Sequence, residues 1–89
     1  AALPARLREA ELAGLVHRVD RERWLGAAAA RRLQLTLREL GATGPITPAR
    51  LRERTGLSRK HLIPLLEWAD RQGWTVRRGD RREPGPRLA

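Results

Sequence analysis

Apolar positions return at helical spacing through the middle of the chain. In AAAARRLQLTLREL, residues 27–40, the side chains Ala29, Ala30, Leu33, Leu37 and Leu40 share one face at about 100° per residue. Arg31, Leu35 and Arg38 point the other way. Strong helix formers fill the stretch, and the pattern predicts a helix that stops at Gly41, with GATGP as connector. In ITPARLRERTG, Thr47 can cap a short helix, Pro48 suits its first position, Leu51 points inward and Gly56 ends it. A third helix is predicted behind Ser58, with Leu62, Leu65, Leu66 and Ala69 as its apolar stripe and Gly73 as its stop. Pro64 lies inside this helix, removes one backbone hydrogen bond and is expected to bend the axis.

Around these helices the periodicity changes from helical to alternating. WTVRR and RRE flank Gly79-Asp80 as a small hairpin, ended by Pro84. Near the start, PARLREAEL reads as helix, and LVHRVDRERWLG after Gly14 reads as two short strands around an Asp20–Glu22 turn. A helix and a lone hairpin cannot form a core, so residues 1–26 are expected to be the tail of a preceding module. The order from residue 27 is helix, short strand, short helix, capped helix and two-stranded wing. The fold class is therefore mostly α with small β, a winged helix-turn-helix. The domain runs over 27–84, with 85–89 as a flexible C-terminal tail.

Length limits the chain of 89 residues to one core. It opens without Met and is expected to be a piece of a longer polypeptide. Nineteen Lys and Arg against ten Asp and Glu give +9, which favours a polyanionic partner, nucleic acid before membrane. Part of the excess reflects an arginine bias of the kind that GC-rich genomes impose, since 18 of the 19 cations are Arg. The excess is uneven: residues 1–48 hold 8 basic and 5 acidic side chains, residues 49–89 hold 11 and 5. The absence of Cys excludes disulfides and thiolate zinc sites and allows an intracellular location. No apolar run approaches the roughly 20 residues of a membrane span, and the reading is a cytoplasmic protein without membrane partners.

Catalytic chemistry finds no support. His17 and His61 are far apart and outside any metal-ligand spacing, and no nucleophile, base and orienter can be nominated together. GATGP lacks the Gly-Lys-Ser/Thr ending of a phosphate loop. Neither a cofactor nor a metal is expected in this segment.

Charge on the third helix points to a binding role instead. Its solvent face carries Lys60, Pro64, Glu67 and Arg71, with Asp70 on the flank. Two acids there would repel a groove filled by the whole helix, whereas Ser58, Arg59, Lys60 and His61 gather charge and free N–H groups at one end. End-on contact is predicted. The wing adds Arg77, Arg78, Arg81 and Arg82, whose guanidinium groups can straddle a phosphate backbone or stack on unpaired bases. Ser58 reads chiefly as a cap and secondarily as a phosphate contact, and His61 equally as cap support or contact. Trp68 and Trp74 read as packing residues, and Arg50 and Arg54 as solvated side chains without an acidic partner on their face.

The residues from about 45 to 82 resemble the last winged-helix domain of the bacterial selenocysteine-specific elongation factor, the SelB family. The likeness rests on Leu51-Arg52-Glu53, Ser58-Arg59-Lys60, Leu65-Leu66-Glu67 and Asp70, closing with Gly73, Thr75, Arg77, Gly79, Asp80 and Arg82. The resemblance implies an RNA-binding module of a GTP-binding translation factor that carries selenocysteinyl-tRNA to the ribosome. Its partner would be an mRNA hairpin beside an in-frame UGA codon, recognised at the apical loop and a nearby bulged base. Carried over by position, Arg59, Lys60, Arg77 and Arg82 are the implied RNA contacts, followed by Arg52. Arg78 and Arg81 join them by charge and location alone. Trp74, Val76 and the Glu83-Pro84 continuation depart from the family pattern, which predicts a short second wing strand.

Two other readings share the fold. A DNA-binding winged helix of a transcription regulator predicts a third helix basic along its exposed length, against which Glu67 and Asp70 stand. A protein-interaction winged helix predicts scattered charge and an apolar exposed face, against which the clustered wing arginines stand.

Overall fold

The computed structural model describes residues 5–88. The elements run α1 Ala5–Leu12, β1 Val16–Arg18, β2 Trp24–Gly26, α2 Ala27–Thr43, α3 Pro48–Thr55, α4 Arg59–Gln72, β3 Thr75–Arg78 and β4 Arg81–Pro84. Two separate antiparallel hairpins, β1–β2 and β3–β4, flank the α2–α4 trihelical body. Residues 1–4 of the expected leading segment, including Pro4, and Ala89 of the expected tail lie outside the described residues.

The helical stripes meet in one core. Ala30, Leu33, Leu37 and Leu40 of α2 face Leu51 of α3 and Leu62, Leu66, Trp68 and Ala69 of α4, with Val19 and Ile46 completing the cluster. Burying each of the Leu, Ile and Val side chains is worth about 1.5–3 kcal/mol, which helps hold the three helices against their conformational entropy. Leu35 stays exposed, as its position on the outer face of α2 requires.

Gly41 does not end α2. The helix continues to Thr43, and Gly44 is its C-terminal cap. What Gly41 provides is space, because a Cβ there would collide with the ring of Pro84, and the glycine lets β4 lie directly against the helix. The last turn of α2 is closed from outside by Arg50, whose guanidinium donates to the Leu40 carbonyl at 3.0 Å, the Pro45 carbonyl at 2.6 Å and Thr43 Oγ1 at 2.7 Å. A helix leaves its final carbonyls unpaired, and a cation is well suited to that end. Arg50 is thus a connector clamp rather than the solvated residue expected. Arg54 also has an acidic partner, Glu39, reached across from α2 and therefore invisible to helix spacing within α3.

The α3 grammar holds: Thr47 Oγ1 accepts from the Arg50 N–H at 3.2 Å, and Gly56 adopts the left-handed φ of 73° while its N–H donates to the Arg52 carbonyl. Helix α4 runs unbroken through Pro64. Proline has no N–H for the carbonyl of Lys60, and that oxygen instead accepts from Arg23 Nη2 at 3.4 Å. Arg23 belongs to the first hairpin, which also receives Arg71 Nη2 on its Val19 carbonyl at 2.7 Å and sets His17 against Trp68 at 5.7 Å between ring centroids. The β1–β2 hairpin is therefore built into the core of the domain that follows it.

The C-terminal residues also pack. Beyond β4, the Gly85 N–H donates to the Trp74 carbonyl at 2.7 Å and the Arg87 N–H to the Gly73 carbonyl at 2.8 Å, while Leu88 joins the core periphery. Residues 85–88 are tied to the end of α4 instead of being flexible. A side chain at Gly85 would meet the Gly73–Trp74 backbone, so glycine is what permits the approach.

Candidate nucleic-acid interface

One end of α4 and the wing face each other across a cleft that carries exposed arginines and acids. Ser58, Arg59, Lys60 and His61 are all exposed. Ser58 occupies the N-cap position with extended backbone, yet its side chain makes no capping hydrogen bond, so the expected cap is one of position only. Leading N–H groups of a helix have no internal acceptor. With the positive end of the dipole beside Arg59 and Lys60, this terminus suits an anionic ligand.

The wing is a two-residue hairpin. β3 and β4 pair Arg78 with Arg81 and Arg77 with Arg82, leaving Gly79-Asp80 at the tip. Gly79 has φ +68° and no other residue of the turn has positive φ, the signature of a II′ turn with Gly in its first central position. Each strand is four residues long. Arg77 Nε donates to the Gly79 carbonyl at 3.0 Å, which lays its guanidinium along the tip. Arg78 meets Glu83 at 3.4 Å with both side chains largely in solvent, a pairing of little energetic consequence. Arg81 is exposed at the other side of the turn.

Between helix and wing lies a cleft lined by Arg59, Ile63 and Glu67 of α4, Pro48 of α3, and Arg77, Asp80 and Arg82 of the wing. Arg59 also borders a second depression shared with Arg52, Pro48, Ala49 and Leu62. The tertiary structure thus brings Arg52, Arg59 and Arg77 to one surface from three elements. Ser58, Lys60 and His61 are exposed at the start of α4 and Arg78 and Arg81 on the wing, and none of the five lines either depression.

Arg82 behaves differently from the other wing arginines. It is only 5% exposed, and its guanidinium is held by Asp70: Nε lies 3.0 and 3.2 Å from the two carboxylate oxygens and Nη2 lies 3.0 Å from Oδ2. Thr75, itself buried, donates its hydroxyl to Asp70 Oδ1 at 2.6 Å. Charge and position along the chain place Arg82 among the solvent-facing contacts and Asp70 among the acids that repel a nucleic-acid groove. In the fold each neutralises the other, and Glu67 alone of the two acids stays exposed beside the cleft. The signal is present in the sequence only as three separate motif positions, and nothing in strand alternation says that a wing arginine turns back toward a helix.

Trp68 is 3% exposed and packs edge-on to Trp74, with ring centroids 4.9 Å apart at 77°. Both indoles are committed to the joint between α4 and the hairpins, as expected from their flanking positions. Among the described residues no group of three His, Cys, Asp or Glu is placed to hold a metal, and no helix is long and apolar enough to cross a membrane.

Residues 38–83, just over half of the chain, match a family model described as the winged helix of elongation factor SelB. Among solved structures, the chain is similar to the mRNA-binding domain of elongation factor SelB from E. coli in complex with SECIS RNA. The identity is 30% and the TM-score 0.82, and the match covers 89% of this chain and 66% of that one. No curated protein sequence matches the chain.

Proposed function

Because the chain belongs to the winged-helix family of elongation factor SelB, we propose that it binds an mRNA hairpin, the selenocysteine insertion element, through the surface formed by α4 and the wing. The observation that carries this reading is the arginine-lined cleft between the uncapped start of α4 and the tip of the β3–β4 hairpin. Such a surface is short, meets its ligand end-on and offers both phosphate-binding and stacking groups. Sequence-specific RNA recognition favours loops and bulges, where bases are splayed out, over the deep groove of A-form duplex. Arg59, Lys60, Arg77 and Arg52 are the leading contact residues, with Arg78, Arg81, Ser58 and His61 around them.

Glu67 supports RNA over duplex DNA as partner. It lies exposed on the helix face that a major-groove reader would insert, and a carboxylate there opposes the phosphates on either side. The domain binds rather than catalyses. Decoding of UGA as selenocysteine, GTP binding, and engagement of selenocysteinyl-tRNA and the ribosome would belong to the parent translation factor in the cytoplasm.

A salt titration against three ligands tests the reading: an RNA hairpin with a small loop and one bulged base, the same stem without the bulge, and a DNA duplex. Tighter binding to the bulged hairpin that persists as salt rises is the expected result. Equal affinities that collapse together with salt would reduce the surface to nonspecific charge attraction, and preference for duplex DNA would favour a transcription regulator.

A further inference from the structure

The cleft has a floor as well as rims. Arg82 lies there with its charge already matched, and three elements converge on it. Its main chain is bridged to Ile46 just ahead of α3, N–H to carbonyl in both directions at 2.8 Å. Across the wing it pairs with Arg77, whose guanidinium follows the tip. Its side chain reaches Asp70 in the last turns of α4, where Thr75 at the root of β3 fixes one oxygen of the same carboxylate. A planar guanidinium bound in a fork transmits orientation as well as charge.

We infer that Asp70 and Arg82 are positioning residues for RNA recognition: their buried pair is a strut that sets the separation of wing and α4, and so the distance between Arg77 and Arg59 across the cleft. This deepens the RNA-binding reading and rests on it. A strut and a direct contact make opposite predictions. If Arg82 met RNA phosphate, Asp70 would compete for it, and Asp70→Asn would release the guanidinium and tighten binding. As a strut, the same substitution loosens the wing and weakens binding although it removes a negative charge from the protein.

The experiment measures affinity for the bulged hairpin over a range of salt for wild type, Asp70→Asn, Arg82→Lys and Thr75→Val. Hydrogen exchange of the wing amides of the RNA-free proteins is followed in parallel. Asp70→Asn and Arg82→Lys are expected to weaken binding by roughly 3- to 30-fold, with the slope of affinity against salt unchanged and wing exchange accelerated. Lys keeps the charge and loses the fork, so retention of wild-type affinity by Arg82→Lys would overturn the strut, as would tighter binding by Asp70→Asn. Thr75→Val leaves the ion pair in place and removes only one anchor of the carboxylate. It is therefore the variant to rely on if the others fail to fold, with a smaller loss of the same kind expected and no loss overturning the proposal. Failure of wild type to prefer the hairpin would count against RNA recognition, whereas unchanged wing exchange in Asp70→Asn would count against the strut whatever the ligand.

Discussion

The two hairpins of this molecule have similar composition and opposite uses. β1–β2 carries Arg18, Arg21 and Arg23 around an acidic turn, and β3–β4 carries Arg77, Arg78, Arg81 and Arg82 around Gly79-Asp80. In the first, Arg23 turns inward to Asp20 and to the Lys60 carbonyl that Pro64 leaves open, and Val19 is buried in the core. In the second, Arg77, Arg78 and Arg81 stand in solvent and only Arg82 turns back to a helix. An arginine is left to solvent or held as a structural clamp according to whether its acceptor draws it into the fold, as Asp70 does for Arg82 and Glu83 does not for Arg78. Density of charge along the chain cannot distinguish the two.

Trp68 is where the hairpins are joined, with the His17 ring on one side and Trp74 on the other. Trp68→Ala should destabilise the fold by about 3–5 kcal/mol, measured by chemical denaturation. A loss below about 1 kcal/mol, small for a buried indole, would show that the hairpins are held independently of this shared side chain. Arg59→Ala should weaken hairpin binding by about 1–3 kcal/mol if the guanidinium reads a base, and less if it meets phosphate, with the melting temperature unchanged. Unchanged affinity would remove Arg59 from the interface.

The mirror image is Arg23→Ala on the buttressing hairpin. It should lower stability by about 0.5–1.5 kcal/mol, the usual worth of a partly exposed hydrogen bond, and leave the salt dependence of RNA binding as in wild type. A reduced salt slope would mean that both hairpins touch the ligand. The smallest effect concerns pH. The Glu22 N–H chiefly, with the Arg23 guanidinium adding to it, holds the Asp20 carboxyl below its ordinary 3.8. A lowered folded-state value stabilises the fold above the ordinary value, and the benefit is lost as pH falls through the lowered one. Asp20→Asn should therefore flatten the acid limb of the stability profile slightly, and an unaltered limb would show that the turn does not couple to folding.

Much of the architecture was legible along the chain. Thr47, Pro48 and Gly56 mark the limits of α3, the stripe of Leu62, Leu66 and Ala69 orients α4, and Gly79-Asp80 places the wing turn. Gly41 misled because glycine signals two things, the end of a helix and the close approach of another segment, and here Pro84 supplies the second. The expected flexible tail departs similarly, since Gly85 allows its backbone to pair with Gly73 and Trp74.

Local sequence determined the elements and the excess of positive charge, because caps, turns and apolar periodicity act over a few residues and need no partner. Tertiary structure decided the fate of individual charges. Arg50, Arg54, Arg71 and Arg82 each found acceptors 5 to 52 residues away. Only the packed chain brings such distant groups within a hydrogen bond's length. What remained exposed after those pairings includes Arg59, shared by two adjoining depressions, with Arg77 on the one toward the wing and Arg52 on the other.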